Sequence, residues 1–220
     1  MNAVIDFLQR TDEAVFLALN GAHCAYADST MWLFTGRCAY VLPVLALLYL
    51  SFRCGWKRGV MMLLAVALTI LLSDQIASSL IKPLVCRLRP SHAEHIVAYV
   101  LNGHRGGMYG FVSSHAANSF GVAVLLILLS RNRLLAACML LWAAVVSYSR
   151  IYLGVHYPGD IICGALVGVA MAFVVNKLLG FLPEPYRPGY CFDEQSSRLM
   201  ATSVVLNMVA ILVAAVFYSV

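Results

Sequence analysis

Long apolar runs alternate with short polar connections over most of the chain. A helix that crosses a bilayer needs about 20 mostly apolar residues. Five stretches meet that pattern, at roughly 31–52, 59–81, 115–130 (the shortest), 134–152 and 158–180, and a sixth runs from about 199 to 219. Lipid offers no partner for a bare backbone, so the runs are predicted to be helices with their polar connections outside the hydrocarbon. Ahead of them, Val4, Ile5, Phe7, Leu8, Val15, Phe16 and Leu19 have the spacing of an amphipathic helix lying on a membrane surface. Asp6, Arg10, Asp12 and Glu13 interrupt what a cleavable signal would keep uncharged. The expected fold is all-α: a polytopic membrane helix bundle with about six transmembrane helices and an N-terminal amphipathic helix. Residues 1–220 form one domain, with an interfacial segment 1–30, a long outer loop 82–114 and a last span 199–219.

Composition strengthens that reading. Hydrophobic residues make up 62% and charged residues 11% of the 220 positions, against about 25% charged in soluble domains. The formal charge is +5, but no basic run with interleaved aromatics suggests nucleic acid as a partner. Seven cysteines (24, 38, 54, 86, 138, 163 and 191) are scattered, with no CxxC pair. They are expected to be small buried hydrophobes, with a Cys24–Cys86 bridge a weakly motivated alternative.

The connections differ in charge. RCGWKR (53–58) and RNR (131–133) are short and basic, and the segment from Gly180 to Arg198 mixes both signs. The positive-inside rule puts these in the cytoplasm. Both termini, the loop from Lys82 to Ser114 and the turn near Gly154 then face outward. Lys82, Arg87, Arg89 and Arg105 oppose that orientation by simple counting, but charges held in a binding site serve a ligand. Two charges fall within spans at similar depth: Arg37 and Asp74, about 9 and about 12 Å from the outer end at 1.5 Å per residue. An unpaired intramembrane charge is costly, so an Arg37–Asp74 contact is expected.

Three polar clusters fall on the outer side. They are KPLVCRLRP (Lys82 to Pro90), FVSSHAAN (Phe111 to Asn118) and SRIYLGVHYPGD (Ser149 to Asp160). Lys82, Arg89 and Arg150 are cations, and the planar guanidinium fork matches phosphate oxygens in pairs. Ser113, Ser114 and the amides near His115 sit where a helix should begin, which is a natural anion site. His115 and His156 can exchange protons or attack near neutral pH. With Pro158 at the first helical position, Asp160 lies in the first turn and can reach back to His156, fixing its tautomer. Singly, each Lys or Arg at a span end is more often a snorkelling anchor. Three clusters on one face point instead to a phosphate-handling site.

The spacing also resembles the type 2 phosphatidic acid phosphatase family. The family pattern is Lys-x6-Arg-Pro, Pro-Ser-Gly-His and Ser-Arg-x5-His-x3-Asp. The chain has Lys82-x6-Arg89-Pro90, Ser113-x-His115 and Ser149-Arg150-x5-His156-x3-Asp160. It departs at Val112, where the family has Pro, and at Ser114, where the family has Gly. The resemblance implies that His156 attacks phosphorus to give a phosphohistidine, that Asp160 holds it, and that His115 protonates the leaving oxygen. Lys82, Arg89, Ser113, the amides beside His115 and Arg150 would stabilise the phosphoryl oxygens. It also implies that no metal or other cofactor is needed. Arg105, in the glycine-rich GHRGGMYG segment (103–110), is expected to be a lid residue touching a second phosphate or another part of the headgroup, and Ser114 to contact substrate. His92 and His95 form an H-x2-H pair near Glu94, with zinc-like spacing, but neighbouring cations argue against a metal.

A site at the outer interface suits a lipid phosphate whose tails stay among the spans. Within the family the chain looks most like bacterial undecaprenyl diphosphate phosphatases of the inner membrane. Phosphatidylglycerol phosphate and lipid A phosphatases are the alternatives. An anion transporter is the rival class. Its site would lie near the midplane on broken helices within repeats, and no repeat is present.

Overall fold

The computed structural model describes residues 2–218. It contains helices and no named strand among those residues, a polytopic all-α bundle. An N-terminal helix α1 (Asn2–Asn20) precedes α2 (Ala25–Thr35), α3 (Val41–Arg53), α4 (Trp56–Asp74) and a short α5 (Lys82–Val85). Then follow α6 (Ser114–Ser130), α7 (Arg133–Tyr152), α8 (Pro158–Gly180) and α9 (Glu194–Phe217). Four helices are long and apolar enough to cross a membrane, with α4 running on to Val85 through a π-helical stretch at Gln75–Ile81. A fifth crossing is the bent pair α2 and α3, and α6 is a shorter apolar helix.

The bend was not legible in the apolar run 31–52. The chain turns by 61° between α2 and the following segment, through Gly36 and a 3-10 turn at Arg37–Tyr40. A break at this depth frees carbonyls that lipid cannot satisfy. Distant side chains fill the gap: the Trp142 indole N–H donates to the Ala39 carbonyl at 2.9 Å. The Asn207 amide donates to the Cys38 carbonyl at 3.0 Å and its oxygen accepts the Leu42 N–H at 3.1 Å.

The expected Arg37–Asp74 pair does not form. Arg37 is exposed in the 3-10 turn, because the bend carries it away from α4. Asp74 instead accepts the Ser78 hydroxyl at 3.4 Å, and its charge acts on Lys82. The cysteine expectation is also corrected. Cys54 and Cys191 form a disulfide that ties the 53–58 connection to the segment before α9, whereas Cys24 and Cys86 are free and exposed.

Helix α6 lies at the centre of the bundle, packed on α4, α7 and α8. Its seam with α8 is made of small residues, which let two backbones approach closely. A Cβ on Gly168 would lie 2.0 Å from the Ala117 carbonyl, and one on Gly164 would lie 2.4 Å from that of Ser113. This contact draws the start of α6 against the start of α8. Helix α1 presents Val4, Ile5, Phe7, Leu8, Val15 and Leu17 outward, as an interfacial helix should. Phe16 and Leu19, expected on the lipid face, pack inward: Phe16 is fully buried with its ring 5.4 Å from that of Tyr157.

Candidate active site

Three local structures build the site. At the first, Cys86 adopts a left-handed conformation (φ 51°) and ends α5, so the following residues run extended. Arg89 N–H donates to the Met108 carbonyl, Gly110 N–H donates to the Arg87 carbonyl, and Leu88 bridges Tyr109. Side chains alternate across an extended strand, so Arg87 and Arg89 share a face. Arg89 is 9% exposed; its Nε donates to the Tyr109 carbonyl at 3.2 Å and its Nη1 to that of Val155 at 3.3 Å. The glycine-rich segment expected to be a lid is the strand partner here.

At the second, Ser113 caps α6. Its hydroxyl accepts the Ala116 N–H at 3.4 Å and its own N–H donates to the Asp160 carbonyl at 3.0 Å. Ser114 and His115 occupy the first turn, whose N–H groups a helix cannot satisfy itself. The Ser114 hydroxyl accepts from Lys82 Nζ at 2.7 Å and contacts the Ser78 hydroxyl at 2.8 Å. A serine at the family's glycine position therefore holds the ammonium. Val112, at the family's proline position, is buried among Ala77, Ala117 and their neighbours.

At the third, the turn between α7 and α8 folds tightly. Gly154 has φ +76° and lies so close to Tyr99 that a Cβ would meet its carbonyl at 2.4 Å; glycine meets both demands. Pro158 opens α8 and places Asp160 at the third helical position, where it accepts the Tyr157 N–H at 3.0 Å. His156 Nδ1 is 3.2 Å from the same carboxylate oxygen. Asp160 has no exposed surface and His156 is 1% exposed. The other ring nitrogen, Nε2, faces Arg89 Nη1 at 3.3 Å. Burial pushes His156 well below the ordinary imidazole value, with Arg89, Arg150 and Lys82 pushing the same way. The ring is thus neutral near pH 7, with Nδ1–H on Asp160 and a lone pair at Nε2.

Arg150 comes from the end of α7 and is 5% exposed. Its Nη1 donates to the Thr35 hydroxyl at the end of α2, and its Nε is buried without a partner. His115 lies in the electrostatic field of Arg150, His156, Arg89 and Lys82. The structure thus brings together Lys82, Arg89, Ser113, Ser114, His115, Arg150, His156 and Asp160. Arg105 does not join them. Its side chain is exposed and the segment is held by its backbone, whose carbonyl accepts the Ser91 hydroxyl at 2.8 Å. His92 and His95 diverge: His95 meets Glu13 at 3.2 Å and His92 faces the Gly106 carbonyl at 3.4 Å.

Sequence reasoning missed two contributors. Arg87 donates to Asp160 at 3.1 Å and pairs with Asp12 at 2.8 Å; the Arg-Leu-Arg alternation was its only local signal. Thr35 reaches Arg150 because of the bend, which the apolar run hides. His104, expected in a headgroup-facing loop, sits in the field of Arg150 and Arg89, with its ring 5.7 Å from that of Trp32.

Buried cations around two histidines, one backed by a carboxylate, can bind a phosphoryl group, attack it and protonate a leaving oxygen. Comparison with known proteins points to phosphatases. A lipid A 4'-phosphatase of Bacteroides thetaiotaomicron is 38% identical over 98% of this chain and all of its own length. An undecaprenyl-diphosphatase of Sulfolobus acidocaldarius is 32% identical over 63% of each chain. The crystal structure of Aquifex aeolicus LpxE superposes with a TM-score of 0.57 at 25% identity, covering 74% of this chain and 93% of that one. The PAP2 superfamily pattern matches residues 58–182, from the start of α4 to the end of α8. With the spans and the site in place, the chain belongs to the PAP2 superfamily and is a membrane phosphatase acting on a lipid phosphate.

Proposed function

We propose that this chain removes a phosphate monoester from the sugar headgroup of lipid A or a close precursor. The observation that carries this reading is the full-length similarity to a lipid A 4'-phosphatase. The undecaprenyl diphosphate reading rests on a relative matched over less of the chain and becomes the alternative. Both substrates present a phosphate at the interface with tails in lipid, so they share the same catalytic chemistry.

In the proposed reaction, Lys82, Arg89, Arg150 and the first-turn amides of α6 hold the phosphoryl oxygens. The bound phosphate's negative charge offsets the cations around His115 and lets that ring carry a proton. The His156 Nε2 lone pair attacks phosphorus while the bond to the lipid oxygen breaks, and His115 gives that oxygen its proton. A water then attacks the phosphohistidine as His115 takes its proton, releasing inorganic phosphate and restoring His156. Asp160 holds the Nδ1–H throughout, stabilising the positive charge on the phosphorylated ring. Ser113 shapes the anion site as the cap of α6. Ser114 acts through Lys82 rather than by touching phosphate. Arg105 lies outside this constellation.

We infer that the protein sits in the bacterial inner membrane with its site facing the periplasm, a reading supported by the short basic loops at 53–58 and 131–133. The Cys54–Cys191 disulfide lies on the opposite face, where this orientation exposes it to a reducing cytoplasm that would open it to two thiols. Alkylation of those thiols in intact cells by a permeant reagent alone supports this orientation. A bond that persists in cells reverses it.

Phosphate release by detergent-purified protein from lipid A, undecaprenyl diphosphate, phosphatidylglycerol phosphate and phosphatidic acid distinguishes the substrates. The proposal predicts the highest kcat/KM on lipid A. Preference for undecaprenyl diphosphate would restore the alternative.

A further inference from the structure

The catalytic turn is tied to an element outside the region matched to the family. Arg87 Nη1 lies 3.1 Å from Asp160 Oδ1 and 2.8 Å from Asp12 Oδ2. Asp160 divides its oxygens: Oδ2 serves His156 and the Tyr157 amide, and Oδ1 serves Arg87. Asp12 divides its own in the same way, with Oδ2 on Arg87 and Oδ1 accepting the Gly159 N–H at 2.7 Å. The guanidinium also stacks on the Tyr157 ring, 4.0 Å from its centroid. Both partners of the outer pair are largely shielded, at 18% and 14% exposed. A Cβ at Gly159 would lie 2.8 Å from Asp12, so the approach depends on a glycine there.

We propose that Asp12 and Arg87 are positioning residues, forming a chain His156–Asp160–Arg87–Asp12 that reaches from the attacking imidazole to the interfacial helix α1. A buried carboxylate needs a partner, and Arg87 supplies one without occupying the oxygen that holds His156. Alone, that cation would draw the Asp160 carboxylate away from the imidazole. Asp12 balances it and pins the first turn of α8 through Gly159. The three-part motif ends at the carboxylate; the contacts of Arg87 and Asp12 carry the chain on into α1. The inference rests on the proposed role of His156.

The test uses the full-length protein in detergent, assayed by phosphate release from the best lipid phosphate. Asp12→Asn removes the charge yet can keep the Gly159 contact. Asp12→Ala removes both, and Gly159→Ala displaces Asp12 without changing any charge. Each is expected to lower kcat about 10- to 100-fold, the usual cost of losing an orienting partner, with KM within about threefold. His156 is faced by Arg89, Arg150, Lys82, His115 and Asp160. Loss of the Asp12 charge leaves Arg87 unopposed beside them, so the acid limb of kcat/KM moves to lower pH in Asp12→Asn. Asp12→Glu is expected to recover part of kcat. Glu13→Gln, which loses the contact of α1 with His95, keeps wild-type kinetics.

Wild-type kcat in both Asp12 variants overturns the inference. So does a fall in kcat accompanied by an unshifted acid limb and lowered thermal stability, since that pattern is structural. If His156→Ala itself retains activity, the catalytic reading fails first; if it is inactive while the Asp12 variants are normal, only the positioning chain fails.

Discussion

The two ends of the bundle carry similar cations put to different use. At the end that holds the site, Arg89 and Arg150 are 9% and 5% exposed and converge with Lys82 on one pair of histidines. At the other end, Arg198 is 68% exposed and pairs with Glu194 one helical turn away. Arg187 donates to the nearby Leu182 and Gly180 carbonyls, and Arg53 meets Gln195 and Asp193 at the surface. Charge count does not separate these regions. Burial and convergence do: a desolvated guanidinium with an unpartnered Nε, like that of Arg150, has capacity left for an anion. A solvated one with local partners anchors a helix end.

The largest effect that would break this contrast is at Arg150. Arg150→Lys keeps the charge but loses the planar fork, and kcat/KM for phosphate release is expected to fall about 10²-fold. Activity near wild type would make Arg150 an anchor like Arg187. Next comes the seam that brings the clusters together. Gly168→Leu must force α6 and α8 apart, destabilising the protein by about 1–3 kcal/mol and lowering its unfolding temperature in detergent together with activity. A substitution absorbed without loss would remove close approach as the cause of convergence.

The pH dependence sharpens the contrast further. His156 lies below its usual range through burial and neighbouring cations, so it stays neutral as pH falls and loses its lone pair only at its depressed value. The acid limb of kcat/KM is therefore expected below the ordinary imidazole value of 6.5. A limb at or above that value would mean that neither burial nor the cations hold His156 neutral. The smallest effect is expected at the other end: Arg198→Ala should change activity by less than about twofold.

Much of this was legible because charged groups stand out in so oily a chain. The spans followed from apolar length, and the candidate site clusters from Lys, Arg and His placed where lipid disfavours them. The turn at Pro158 could even be assigned its position in α8. What escaped depends on contacts between distant segments. The bend at Gly36 is made tolerable by Trp142 and Asn207, and nothing near residue 36 announces them. The Cys54–Cys191 bond joins two connections that sequence spacing cannot relate. Asp12 looked like one more polar residue on a surface helix, and only the fold of α1 onto α8 brings it to Arg87. Arg105 shows the same dependence on distant contacts: the pairing of its loop with residues 87–89 turns Arg89 inward and leaves the Arg105 side chain exposed. The Arg37–Asp74 pairing failed because similar depth in two helices says nothing about which faces meet.

The central claim is that His156 carries the phosphoryl group. Turnover of a lipid phosphate, quenched in alkali where phosphohistidine survives, followed by peptide mass spectrometry locates that group. The account predicts phosphate on the peptide containing His156 in the wild type, and neither adduct nor turnover in His156→Ala. A phosphoryl group on another residue, or turnover persisting in His156→Ala, would contradict it.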